Sequence, residues 1–244
     1  MNTSINSSLT IVIPAKNERR LLPKLLQSLC NQDYAEMRRT KVFVADAGST
    51  DGTADIALSF RDRLDIEVIP GGLPSVGRNK GAERATSEFL LFLDADMELR
   101  DKTLIRRTIE LAKRRKLDCV TTNICCEGTA KDQIAYLINN LTQWLSIFVA
   151  PFSTGMFMLF RRERFWELGG FHEHAMYAED YLLSKRVQRR KFRVLTGKVH
   201  TTNRRFRNMG YWRVCRMFVM TALNTWNDNY FLKDRGYWDV QLTK

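Results

Sequence analysis

Two carboxylates, Asp94 and Asp96, follow directly on the apolar run Phe89-Leu90-Leu91-Phe92-Leu93. Residues i and i+2 of an extended chain point to the same side, so this pair reads as a hard oxygen site for Mg²⁺ or Mn²⁺. A metal there would bridge two phosphates and neutralise charge on a departing diphosphate. An Asp-rich turn is the plain alternative, and the buried strand in front of the pair favours the functional reading. Asp46 and Asp51 flank Gly48 and Gly52. Asp46 is a candidate acceptor of hydrogen bonds from a base or ribose, and Asp51 is as much a helix cap as a ligand contact. Arg78 heads Arg78-Asn79-Lys80-Gly81-Ala82, which reads as the opening of a helix. Its planar guanidinium suits phosphate or base, aided by the helix N-terminus. Glu179 and Asp180 also stand at a helix start, where an acid is commonly a cap. The functional alternative is a general base that takes a proton from an incoming hydroxyl. His172 and His174 read as a loop pair. His200 follows a strand and could close on a metal held by Asp96.

The elements that must position these residues are legible from hydrophobic spacing. Leu9 to Ala15 and Lys41 to Ala45 read as buried strands, as do Ile66 to Ile69 and Phe89 to Leu93, with Leu117 to Ile124 as a fifth. Helices are expected from Leu21 or Leu22, from Thr50 or Asp51 to about Phe60, up to Thr86, and over Asp101 to Lys116. Alternating strands and helices argue for parallel βαβ units. Ligands of such sheets bind beyond the carboxyl ends of the strands. Those ends carry Pro14-Ala15-Lys16-Asn17-Glu18, Asp46 to Gly52, and Asp94-Ala95-Asp96. The second half is less regular. It reads as an apolar helix over Ile134 to Val149, a strand over Gly155 to Phe160, short helices over Arg162 to Leu168 and Asp180 to Arg190, strand and turn over Phe192 to Val199, and an aromatic helix over Met209 to Thr225. One domain with two lobes is expected: a nucleotide lobe to about 100, an acceptor lobe over 101–202, and a helical tail over 203–244.

The 244 residues carry a net charge of +12, which calls for an anionic partner: a phosphorylated substrate, an acidic membrane face or nucleic acid. The charge is spread over Arg106 to Lys116, Arg161 to Arg164, Lys185 to Arg193 and Arg204 to Arg216, each also explicable as a solvated face. The 5 cysteines have neither disulfide-framework nor zinc spacing, which suggests buried thiols in a reducing compartment. The polar Met1 to Ser8 lacks the pattern of a secretory signal. Trp144 to Phe160, the most apolar stretch, falls short of the roughly 20 residues of a spanning helix and reads as a buried helix end, a loop and a strand. A cytoplasmic setting is expected, with attachment at the inner membrane face left open. Met209 to Thr225 could lie in a lipid interface, although packing on the core is the favoured reading.

Taken together, the ordered segments Ile11 to Glu18, Val44 to Thr53, Gly77 to Ala82, Phe92 to Asp96, Gly169-Gly170-Phe171 and Glu179-Asp180 resemble the inverting family-two glycosyltransferases with the GT-A fold. The resemblance implies a Rossmann-like α/β fold with a mostly parallel central sheet, and a metal-dependent sugar transfer from a UDP- or GDP-linked donor. It places Pro14, Ala15, Asn17, Glu18, Asp46 and Asp51 around the nucleotide, with Arg78 near base and phosphate. Asp94, with Ala95, would face the ribose, Asp96 would hold Mn²⁺ or Mg²⁺, and Asp180 would be the base with Glu179 beside it. A late histidine can reach the metal in related enzymes, which is the case for His200. The Gln-x-x-Arg-Trp motif of processive synthases is missing from Val187 to Phe192, so transfer of a single sugar is expected. His172 stands where the family more often has Asp. The acceptor is not legible, a lipid-linked or envelope glycan being one option. Competing readings fare less well. A nucleotidyltransferase would need a glycine-rich loop after the first strand, and Pro14 to Glu18 has no glycine. A nucleic-acid-binding protein, or a membrane-binding one on an inactive scaffold, would leave the strand-end motifs to coincidence.

Overall fold

In the computed structural model, residues 7–234 are described. The first six residues of the polar N-terminus and the last ten of the tail lie outside them. Seven strands form one sheet in the order β3-β2-β1-β4-β6-β5-β7. They are β1 (Leu9–Ala15), β2 (Lys41–Asp46), β3 (Asp65–Pro70), β4 (Phe89–Leu93), β5 (Cys119–Cys126), β6 (Phe157–Arg161) and β7 (Phe192–Thr201). Strands β1 to β4 are parallel, as are β5 and β7. Strand β6 runs antiparallel to both β4 and β5.

The apolar runs become strands because both faces of the sheet are covered. Ile11, Ile13, Val42, Val44, Phe89, Leu91 and Leu93 face one core. The residues between them, Val12, Phe43, Ala45, Leu90 and Phe92, face the other. Helices α1 (Leu22–Cys30), α2 (Thr53–Leu58) and α4 (Leu104–Arg115) cover the first side, and α3 (Pro74–Glu83) and α6 (Arg162–Glu167) the second. Gly81 explains how close α3 lies: a Cβ there would meet Val12 Cγ1 at 2.4 Å. The glycine is a contact between helix and sheet, a steric requirement independent of any ligand.

Several boundaries differ from expectation. Helix α3 begins at Pro74, so Arg78 lies inside the helix and not at its anion-binding start. Helix α7 (Glu179–Ser184) is a single short element that stops well before Arg190. The aromatic tail is two helices, α8 (Arg204–Met209) and α9 (Tyr211–Leu223), broken at Gly210, whose φ is 76°. Helix α9 packs on the core along one side, through buried Val214 and partly buried Tyr211 and Met217, while Trp212 on the other side is 82% exposed. Helix α5 (Ala130–Ser146) ends at the surface, with Leu145, Phe148 and Val149 exposed where a buried helix end was expected. Cys119 and Cys126 are buried, but Cys215 is exposed. Among the described residues, no helix is long and apolar enough to cross a membrane.

Candidate active site

The carboxyl ends of β1, β2 and β4 bring the candidate residues together. In register, Ala15 pairs with Asp46, and the Ala47 N–H donates to the Ala15 carbonyl at 2.9 Å. Beyond β4 burial alternates: Ala95, Met97 and Leu99 are buried, while Asp94, Asp96 and Glu98 lie half-buried. Residues 95 and 96 form a turn, in which the Met97 N–H donates to the Asp94 carbonyl at 3.3 Å, so Asp94 and Asp96 flank a turn where the sequence suggested an extended strand end.

Asp96 does not stand alone. Arg204, at the start of α8, donates from Nη2 to Asp96 Oδ2 at 3.2 Å and to Glu18 Oε1 at 2.6 Å, while its Nη1 reaches Glu18 Oε2 at 3.0 Å. Burial pushes the Asp96 carboxyl above its usual range, Arg204 opposes this, and Asp94 adds to it. Glu18 is raised in the same way, by burial first, with the charges of Asp96 and Asp94 contributing. Three carboxylates are thus close enough to repel one another, and one guanidinium compensates two of them. The sequence offers Arg204 only as one member of the basic cluster Arg204 to Arg216.

Arg78 makes a second brace. Its side chain is 3% exposed; Nη2 meets Asp94 Oδ1 at 2.6 Å and Nη1 meets Glu179 Oε1 at 2.6 Å. Its guanidinium lies 5.2 Å from the Phe171 ring. Burial by itself would lower its proton affinity, but Asp94, Glu179 and Asp180 more than reverse that and hold it charged. Both terminal nitrogens are committed to carboxylates, so Arg78 fastens the strand-end acids to α7, where the sequence suggested an open phosphate contact. The neighbouring Asn79 ties the helix to the Gly169-Gly170-Phe171 loop. It donates to the Phe171 carbonyl at 2.8 Å and accepts from the Phe171 N–H at 3.0 Å.

Asp180 is held by backbone. Its Oδ2 accepts from the Gly155 N–H at 2.5 Å and its Oδ1 from its neighbour Tyr181 N–H at 2.7 Å. Burial, and then the adjacent Glu179 charge, push its carboxyl up to about 6. Two amide donors fix the carboxylate plane, and the remaining lone pairs are available to a proton. Ala178, directly before the pair, sits in the left-handed region with φ 58°. Such strain costs a non-glycine residue about 1 kcal/mol and here redirects the chain into α7.

The polar residues at the ends of β1 and β2 are largely occupied in shaping loops. Asp46 accepts from the Ser49 N–H at 3.1 Å and from Ser49 Oγ. Asp51 accepts from the Thr53 and Arg19 N–H groups, both at 3.0 Å, and so caps the turn into α2. Asn17, with φ 55°, accepts from the Thr50 N–H at 3.0 Å and locks the loops after β1 and β2 together. Pro14, half-buried, closes β1 at the same edge, and Ala15 and Ala95 are buried beside it.

His200 is placed differently from expectation. It pairs through its backbone with Glu98, at 2.8 and 2.9 Å. The groups acting on its ring are Arg100, Glu98, Glu127 and Lys198, with burial lowering its proton affinity first. It is Arg204, four residues on, that reaches Asp96. Among the described residues, no three His, Cys, Asp or Glu side chains form a ready-made metal cage. The oxygen donors of Glu18, Asp94 and Asp96 nevertheless suit a hard divalent cation, and their mutual repulsion is what such a cation relieves. A cleft of about 620 Å³ lined by Lys113, Lys116, Arg161, Arg164 and Lys191 opens at the opposite end of the sheet. Arg161 is paired with Glu88 and Arg164 with Asp118 there, and the cleft holds none of the residues above.

A family model described as glycosyl transferase family 2 matches residues 10–177. The chain belongs to this family. The 4,4'-diaponeurosporenoate glycosyltransferase of Staphylococcus haemolyticus is 32% identical over 114 residues, 45% of this chain and 29% of that protein. Among solved structures, S. aureus TarS 1-349 in complex with UDP-GlcNAc superposes with a TM-score of 0.63 at 22% identity, over 80% of this chain and 58% of that one. The mannosyltransferase PcManGT from Pyrobaculum calidifontis, in complex with GDP-Man and Mn²⁺, gives 0.64 at 18% identity, over 89% and 65%. These likenesses show the GT-A fold, and the chain spans less than two thirds of the length of each of these proteins. The central sheet is mostly parallel, as the family-two resemblance implied.

Proposed function

We propose that this glycosyltransferase moves one sugar from a nucleotide-diphospho-sugar, UDP- or GDP-linked, to an acceptor hydroxyl with inversion at the anomeric carbon. The observation that carries the proposal is Asp180. It is a half-buried carboxylate oriented by two backbone amides, with its proton affinity raised towards neutrality. The Glu179–Arg78–Asp94 bridge joins it to the strand ends. A base poised near the working pH transfers protons best. Asp180 takes the proton of the acceptor O–H, the acceptor oxygen bonds to the anomeric carbon, and the bond from that carbon to the diphosphate oxygen breaks. The nucleoside diphosphate leaves with the bonding electrons.

Asp46, Asn17 and Asp51 shape the loops against which the nucleotide rests, and Asp94 faces its ribose. Mn²⁺ or Mg²⁺ bound at Asp96 would neutralise charge on the diphosphate. Support for a metal comes from the carboxylate chemistry of the site and from a fold relative that carries Mn²⁺ with GDP-Man. Support for either base comes from the UDP-GlcNAc and GDP-Man bound by the fold relatives.

Turnover of a donor by water in the absence of acceptor, followed for wild type and Asp180→Asn, tests the role of the base. A loss of roughly 10²–10⁴-fold with donor affinity retained is expected. Equal turnover by the two proteins would remove Asp180 from the chemistry.

A further inference from the structure

Helix α5 is inside-out. Its buried positions are Asp132, Tyr136, Asn139, Gln143 and Ser146, nearly all polar. Its solvent face is Ile134, Leu137, Ile138, Leu141 and Leu145, each more than half exposed, and Phe148 continues the stripe at 69%. The spacing of three, four, seven and eleven puts them on one side of the helix. From Gln133 to Val149 there is no charged residue. An amphipathic helix in water turns the opposite way, and an apolar stripe of this size marks a contact with another apolar phase.

We propose that the outer face of α5 lies in the interface of an anionic lipid bilayer. Charge selects this occupant. Lys131 stands at the start of the stripe and Arg189 at its end, where Nη1 donates to the Phe148 carbonyl at 2.7 Å. Arg190 is exposed beside it. Cations bordering an uncharged apolar face are the signature of a helix lying in the plane of an acidic membrane. A second copy of this chain is a poorer partner, because both copies carry a net charge of +12 and repel. Exposed Trp212 and Trp226 add interfacial aromatics on the neighbouring α9 end of the chain; Tyr211 of α9 bonds to Asp132 at the start of α5 at 2.6 Å.

The docking face is coupled to the site through short contacts. Ser146 Oγ accepts from the Phe152 N–H at 3.0 Å and Gln143 Oε1 from the Thr154 N–H at 3.4 Å. The next residue, Gly155, is the one that donates to Asp180. Helix α5 thus presents lipid contacts outward and holds the Asp180 loop inward.

Co-sedimentation of the full chain with phosphatidylcholine vesicles, with and without phosphatidylglycerol, tests the proposal. It needs neither donor nor acceptor, so its result is independent of the proposed transfer reaction. Wild type should sediment with the anionic vesicles. The triple variant Leu137→Gln, Leu141→Gln, Leu145→Gln should bind at least about tenfold more weakly, with unchanged circular dichroism, since all three side chains are exposed. The single variant Phe148→Ser should fall between them. Failure of wild type to bind anionic vesicles overturns the proposal, as does undiminished binding by the triple variant. So does a wild-type dimer that the triple variant abolishes without any lipid binding, which would assign the face to a second copy.

Discussion

Arg204 lies 3.2 Å from Asp96, across 108 positions of sequence, and closes on Glu18 with its other contacts. The one guanidinium therefore holds two carboxylates whose proton affinities burial has already raised. Arg204→Ala removes the guanidinium bonded to both and leaves Asp96 the weaker attraction of Arg205. The side chain is 43% exposed, and solvent screens the pair, so the expected loss of stability is about 1 kcal/mol. Thermal melts at neutral pH measure it. Mn²⁺ should restore most of the loss in the variant and do less for wild type, because a cation substitutes for the missing one.

The pH dependence of turnover should follow Asp180. Its carboxyl is pushed up to about 6 by burial and by Glu179. A general base works only when ionised, so kcat should be low below pH 6 and rise through a midpoint near 6 as the proton leaves. A rate already flat from pH 5 upward would place the limiting proton transfer elsewhere.

Arg78 is buried between Asp94 and Glu179. Arg78→Met removes the counter-charge of two carboxylates at once, and breaking a buried pair in this way costs about 3–5 kcal/mol. Arg78→Lys should recover only part of that, because an ammonium lacks the planar fork that reaches both acids. Denaturant melts of the three proteins should rank wild type, Lys, Met.

Gly155 has two duties, the N–H to Asp180 and room for Arg78. A Cβ at position 155 would meet Arg78 Nη2 at 2.7 Å. Gly155→Ala should cost about 1–3 kcal/mol by overpacking and lower kcat more than it raises KM, since the base and its brace shift together. Kinetics of the variant beside its melting curve separate the two effects.

Much of the first half was legible because its strands are covered on both faces. Val12 and Ile13 are both fully buried, on opposite sides of the sheet, and an uninterrupted apolar run is the mark of such a strand. The direction of β6 was not legible, because Phe157 to Arg161 is equally apolar read either way. The end of α7 was hidden for a related reason: Val187 is buried after the helix has already stopped, so the apolar spacing overran it. The two arginine braces span 101 and 186 positions. Local spacing cannot distinguish the part-buried Arg204 contact from the more exposed arginines around it. Asp94, Asp96 and Asp180 stand out in the sequence as candidates because strand ends and helix starts are local features. Gly155, whose contribution is a backbone amide, left no such mark.

In the proposed reaction the strand-end crevice binds a nucleotide sugar with help from a divalent ion at Asp96. Calorimetric titration of the chain with a panel of UDP- and GDP-sugars, with Mn²⁺ or with EDTA, tests it most directly. One donor should bind with Mn²⁺, weaken strongly with EDTA, and fail to gain from Mn²⁺ in Asp96→Ala. Binding of no donor under any metal, or binding indifferent to both EDTA and Asp96→Ala, would contradict it.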